Sequence, residues 1–288
     1  MMKNKSNTKR ILRILLIFFA IGMLCTGGML IYYWTRYSAD RNANEAVKRL
    51  AYQASDDGTN NSLNSGESGS TGDNKTSFST KSINFGALSE MNPEIIGWIS
   101  ACGELIDGPV VQTDNNDYYL SHLFDNSAGK AGCFFADTYS NPAFECPFTV
   151  VYGHYRKDKS MFYFLHYYKD QAYYLAHPIF TIYTEEGEKE YQIFSVFYGD
   201  YEADFEKLYE YGIKSADSSA DKVKNIFNMA TSKSLYDILS TKEGAKIADA
   251  LDQDLAKGAT TPDIVVLYTC EYSGANNRMF VFGINLDE

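Results

Sequence analysis

Basic residues are scarce in this 288-residue chain: Lys and Arg total 26 against 37 Asp and Glu, a net charge of −11. No nucleic-acid partner is expected, because such binding needs a basic face that displaces counterions. The sequence also lacks a G-x-x-x-x-G-K-[ST] loop, a G-x-S-x-G elbow, an H-E-x-x-H helix and a C-x-x-C pair. Phosphate cradles and metal centres therefore have no sequence support, and neither a metal nor a cofactor is expected. Cysteine occurs five times and histidine four times, and no internal repeat is present. A chain of this length can build its core without disulfide staples.

The charge that is present is unevenly spread. Residues 1–49 carry nine basic and two acidic side chains, and the remainder of the chain is net −18. Within that basic end, Ile14 to Trp34 is a run of 21 uncharged residues rich in Leu, Ile, Phe and Met. At ~1.5 Å per helical residue it spans about 30 Å, enough to cross a bilayer. Five basic residues precede it and no acidic one does, so residues 1–13 are expected in the cytoplasm and everything after Trp34 outside. The run exceeds a signal-peptide core and no A-x-A site follows closely, so an uncleaved single-pass anchor over 14–34 is expected in the cell membrane. Residues 35–82 follow as a juxtamembrane segment and linker. From 54 to 82 the chain is almost entirely Ser, Thr, Gly, Asn, Asp and Lys, which cannot bury enough apolar surface to offset its entropy.

Residues 83–288 read as one folded body. Asn92-Pro93-Glu94 before Ile95, Ile96, Trp98 and Ile99 predicts a short opening helix, with Asn92 as cap and Pro93 at its first position. Seven strand-like runs follow: Pro109–Gln112, Gly132–Ala136, Phe148–Tyr152, Ile179–Tyr183, Tyr191–Tyr198, Ile264–Thr269 and Met279–Ile284. Their short spacing favours an antiparallel barrel or sandwich. Residues 203–257 break the pattern with apolar residues at helical spacing, predicting a helical insertion packed on the strands.

Three chemically capable residues fall at strand termini. Cys270 ends the run Ile264–Thr269, His154 follows Thr149-Val150-Val151-Tyr152-Gly153, and Arg278 opens the last run after a turn containing Ser273-Gly274 and Asn276-Asn277. A thiolate nucleophile, an imidazole acid and a permanently cationic oxyanion donor together suit acyl transfer. Cys102, Cys133 and Cys146 carry no reactive signature, and the sequence leaves open whether two of them are bridged.

Tyr152-Gly153-His154 and Leu267-Tyr268-Thr269-Cys270, with Arg278 eight residues on, resemble the sortases, the cysteine transpeptidases of Gram-positive cell surfaces. Asn92-Pro93 through Gly97-Trp98-Ile99, Pro109-Val110-Val111-Gln112, Asn116 with Tyr119-Leu120, Met161-Phe162 and the helical insertion resemble class B in particular. The resemblance covers residues 83–288. It implies a mainly β fold, an eight-stranded sortase-type barrel with N-terminal helices and a helical insertion before the cysteine strand. It implies a thioester on Cys270, formed by cleaving an NPxT[N/D/G]-like sorting signal after Thr. The partners so implied are secreted proteins bearing that signal and an amine of peptidoglycan or lipid II. Carried over by position, His154, Cys270 and Arg278 are catalytic, and Asn116, Tyr268, Thr269 and Glu271 border the substrate. Tyr268 departs from the family, which commonly has Ser there. No metal is implied, since the calcium-stimulated branch is class A.

Two other readings stand beside it. An L,D-transpeptidase usually places Arg two residues after its Cys, and a papain-like wall hydrolase places Cys before His; neither order occurs here. A non-enzymatic, membrane-tethered binding module would leave Cys270 merely buried.

Overall fold

A computed structural model describes residues 4–53, 82–145, 147–214, 218–257, 262–270 and 277–286. The linker expected over 54–82 lies almost wholly outside these residues, as do Cys146 and Glu271.

The chain begins with one unbroken helix, α1 (Asn4–Ala51). Its first part has the length and apolar composition of a single membrane span, and the large apolar side chains from Ile11 to Trp34 are exposed. Beyond the span the same helix turns one face toward the folded body: Asp40, Val47 and Ala51 are buried and Asn44 is partly so. That i, i+4, i+7, i+11 spacing keeps them on one side of a helix. Just past its end, Tyr52 donates to Asp107 at 2.8 Å, and Trp98 Nε1 donates to the same carboxylate at 2.8 Å. A short helix, α2 (Phe85–Met91), is capped at its start by the Asn84 side chain, which accepts from the Ala87 N–H.

The opening helix expected after Pro93 is instead a strand. Asn92 is the C-cap of α2, and Ile95–Ala101 form β1. The β-branched and aromatic side chains Ile95, Ile96, Trp98 and Ile99 fit a pleated, half-buried surface better than a helix. There follow β2 (Ile106–Val111), β3 (Phe134–Ala136), β4 (Phe148–Gly153), a small hairpin of β5 (Tyr155–Arg156) and β6 (Ser160–Met161), α3 (Gln171–Ala176), β7 (Ile179–Thr184) and β8 (Gly187–Asp200). The insertion comprises α4 (Glu206–Tyr209), α5 (Ser219–Lys233) and α6 (Lys242–Lys257), and β9 (Asp263–Cys270) and β10 (Asn277–Asn285) complete the chain. All seven strand runs read from the sequence are present, and β1 is the eighth.

Eight strands, all but β5 and β6, close into a barrel in the order β1-β2-β3-β4-β9-β10-β8-β7. It is not purely antiparallel: β2–β3 and β4–β9 are parallel pairs. Parallel neighbours need long crossovers, and the chain supplies them between residues 111 and 134 and between 153 and 263. Along β9 the side chains alternate between two cores. Val265 and Leu267 join Ile99, Val110, Val151, Ile193 and Val281 inside the barrel. Ile264, Val266 and Tyr268 join Val223, Ile226, Phe227, Ala230, Ile247 and Leu251 of the insertion. The insertion therefore covers the outer face of the strands, as its apolar spacing predicts. A third cluster, with Val47, Ala51, Leu88, Trp98, Tyr119 and Phe135, joins α1 and α2 to the other side of the barrel.

Candidate active site

Because β4 and β9 run in parallel, their C-terminal ends lie side by side. The last pair in that register is Gly153↔Thr269; Cys270 follows as the last residue of β9, and His154 is the first residue past the end of β4. β10 runs antiparallel to β9, and its register pairs Arg278 with Cys270. Neighbouring strands are ~4.8 Å apart, so the backbone of Cys270 is flanked by that of His154 on one side and Arg278 on the other. Residues separated by more than a hundred positions thus meet at one barrel end through strand direction alone.

The segment around His154 is tightly held. Its Nε2 lies 2.8 Å from the Leu120 carbonyl oxygen, and its own carbonyl accepts the Phe162 N–H at 2.9 Å. Gly153 is sandwiched: a Cβ there would lie 2.6 Å from Phe162 and 2.8 Å from Phe134, whose rings stack at 4.6 Å. Gly153→Ala is therefore expected to lose about 1–3 kcal/mol through overpacking, read as a lowered denaturation midpoint. Across from the histidine, Gly132 has φ +63°, and a Cβ there would lie 2.4 Å from the Tyr119 carbonyl and 3.2 Å from the His154 ring. The other histidines are occupied in aromatic packing: His122 stacks on Tyr118 at 4.0 Å, His177 on Tyr173 at 4.2 Å, and His166 meets Tyr155 at 4.4 Å.

Asn116 stands in the β2–β3 crossover with both ends of its amide engaged. Its Nδ2 donates to Asp137 at 2.9 Å and its Oδ1 accepts the Thr138 N–H at 3.0 Å. Asp137 is fully buried and also accepts from Tyr152 at 2.7 Å and from the Tyr139 N–H at 3.0 Å. Burial, and next the Asp137 charge, push the Tyr152 phenol up, so it stays a donor. Sequence reading did not single out Asp137. Tyr268 and Thr269 are enclosed rather than open to a ligand: Thr269 is fully buried, and the Tyr268 ring packs against Phe205 at 4.8 Å, Phe280 at 4.9 Å and Tyr152 at 5.6 Å.

No family model matches the chain. It is 36% identical to sortase B of Listeria monocytogenes over 110 residues, which cover 38% of this chain and 45% of that protein. With sortase B of Staphylococcus aureus it shares 31% over 113 residues, or 39% and 46% of the two chains. The aligned region thus spans a little under half the length of these curated relatives. The crystal structure of Clostridium perfringens sortase B superposes with a TM-score of 0.58 and 28% identity, covering 71% of this chain and all of that one.

The chain carries the class B sortase fold.

Two of the remaining thiols belong to the cores of the barrel. Cys102 and Cys133 are unbridged and buried. Burial pushes the Cys102 thiol up to about 12, and the Cys133 thiol is raised for the same reason. Neither forms a thiolate near neutral pH, so neither competes as a nucleophile.

Proposed function

We propose that this chain is a cysteine transpeptidase of the class B sortase type, anchored by α1 with its N-terminus in the cytoplasm and its barrel outside. The observation that supports this reading is the register that sets His154, Cys270 and Arg278 on three adjacent strand ends. In the reaction the Cys270 thiolate attacks the carbonyl carbon of Thr in an NPxT[N/D/G]-like signal. The carbonyl electrons move onto oxygen, where the Arg278 guanidinium stabilises the negative charge. As the tetrahedral centre collapses, the C–N bond breaks and His154 protonates the departing amine, leaving an acyl thioester on sulfur. A peptidoglycan or lipid II amine then attacks the thioester, His154 takes its proton, and the Cys270 thiolate is released.

Asn116 and the buried pair Tyr268 and Thr269 would act here by shaping the groove walls, and Glu271 would border the groove beside the nucleophile. Incubating the full chain in detergent with a small library of N-P-x-T-x peptides and candidate amines tests the proposal. The expected result is a ligated product of the peptide's N-terminal part joined to the amine, detected by mass. Absence of both cleavage and ligation across the library would reject it. Arg278→Ala is expected to lower kcat by about 10²–10³ if the guanidinium holds the oxyanion. Unchanged turnover in that variant, measured by peptide cleavage, would take that role away.

A further inference from the structure

Asp40 is an acidic side chain within the basic first 49 residues, on α1 beyond the apolar span, yet it is buried. Its Oδ2 accepts the Ala131 N–H at 3.1 Å and lies 3.5 Å from Arg156 Nη1. Both partners belong to the support of His154. Ala131 precedes Gly132, where a Cβ would lie 3.2 Å from the His154 ring, and Cys133 N–H donates back to the Tyr119 carbonyl, one residue before the Leu120 carbonyl that meets His154 Nε2. Arg156 is two residues past His154, in the hairpin strand β5. It too is buried, its guanidinium held by Asp158 at 2.6 Å and set 4.9 Å over the Tyr37 ring of α1.

We propose that Asp40 is a positioning residue for His154, so that the membrane-proximal helix helps to fix the histidine. One carboxylate contacts two chain segments beside the histidine, the 120–132 turn whose Leu120 carbonyl meets the ring and the strand β5 that follows His154. A cavity of about 610 Å³ lies beside it between α1 and the barrel, bordered by Asp40, Ala131, Gly132 and Arg156. Neighbouring packing is therefore poorly placed to replace the grip when it is lost. The kinetic part of this inference rests on the transpeptidase reading, and the spectroscopic part does not.

The test uses the full chain in detergent or nanodiscs. Asp40→Ala is expected to lower kcat for peptide cleavage by about 10–10², since a small misplacement far from the chemistry has that effect. KM should stay within about twofold, because substrate contacts are untouched. Asp40→Glu should recover part of the loss by restoring a carboxylate. A double variant, Asp40→Leu with Arg156→Met, removes both charges of the pair, and the Asp158 carboxylate it releases is partly exposed and still accepts from Ser160 at 2.7 Å, so the variant should remain folded but slow. Unchanged kcat in Asp40→Ala, or wild-type kcat in the double variant, would overturn the proposal. With only four histidines, isotopically labelled ring signals report the same event without turnover, assigned through His154→Gln. The His154 resonances should move in both the alanine and the double variants while those of His177, outside the gripped turn, stay. If the wild-type chain cleaves no peptide, the transpeptidase reading fails and these resonances alone decide: a fixed His154 signal would overturn the role of Asp40.

Discussion

Replacing Cys270 with alanine is expected to abolish cleavage and transfer while the barrel stays folded. The position is the last residue of β9, paired to Arg278 through the backbone, and alanine preserves that ladder. What is lost is the sulfur on which the acyl group would rest between its two transfers. Removing a nucleophile that works as a unit with its base costs on the order of 10⁶ in kcat, so mass spectrometry of a long incubation should find no ligated peptide. A charged methanethiosulfonate added to the wild-type chain should block the reaction and label Cys270. Cys102 and Cys133 should stay unlabelled, since both are buried with raised thiols. Circular dichroism matching wild type would show that the variant is folded. Ligation surviving in that variant would deny Cys270 the role of nucleophile.

The strands were more legible in the sequence than the connections that assemble them. β-branched and aromatic runs bounded by Gly, Pro, Asp and Asn exposed seven strands, because side-chain fit to a pleated surface is a local property. β1 escaped because Asn-Pro before an apolar stretch reads equally as the start of a helix. Here Asn92 closes the helix behind it, and the fold has the apolar stretch to pair with β2 and β7. The parallel β4–β9 joint was invisible for a different reason: its partners are more than a hundred residues apart, and no local pattern encodes strand direction. That joint is what brings His154 beside Cys270. The supporting groups were hidden as well. The Leu120 carbonyl has no side-chain signature, and Asp40 and Asp137 looked like ordinary surface charge until burial and their partners were known.

His154→Ala is expected to lower the cleavage rate by about 10²–10⁴, the usual contribution of a general acid–base. The geometry adds a sharper consequence. A carbonyl oxygen can only accept, so at 2.8 Å from Leu120 the Nε2 atom must carry hydrogen in this arrangement. The proton destined for the leaving amine therefore comes either from Nδ1 of the imidazolium or from Nε2 after the ring turns away from Leu120. His154→Gln separates support from proton transfer, because its amide can still donate to the Leu120 carbonyl but cannot exchange a proton at neutral pH. It should match wild type in thermal midpoint and resemble His154→Ala in rate. Peptides with progressively better leaving amines should narrow the deficit of both variants, since a good leaving group needs less protonation. A glutamine variant turning over within about tenfold of wild type would deny His154 the acid–base role and leave it a structural brace for the 120–132 turn.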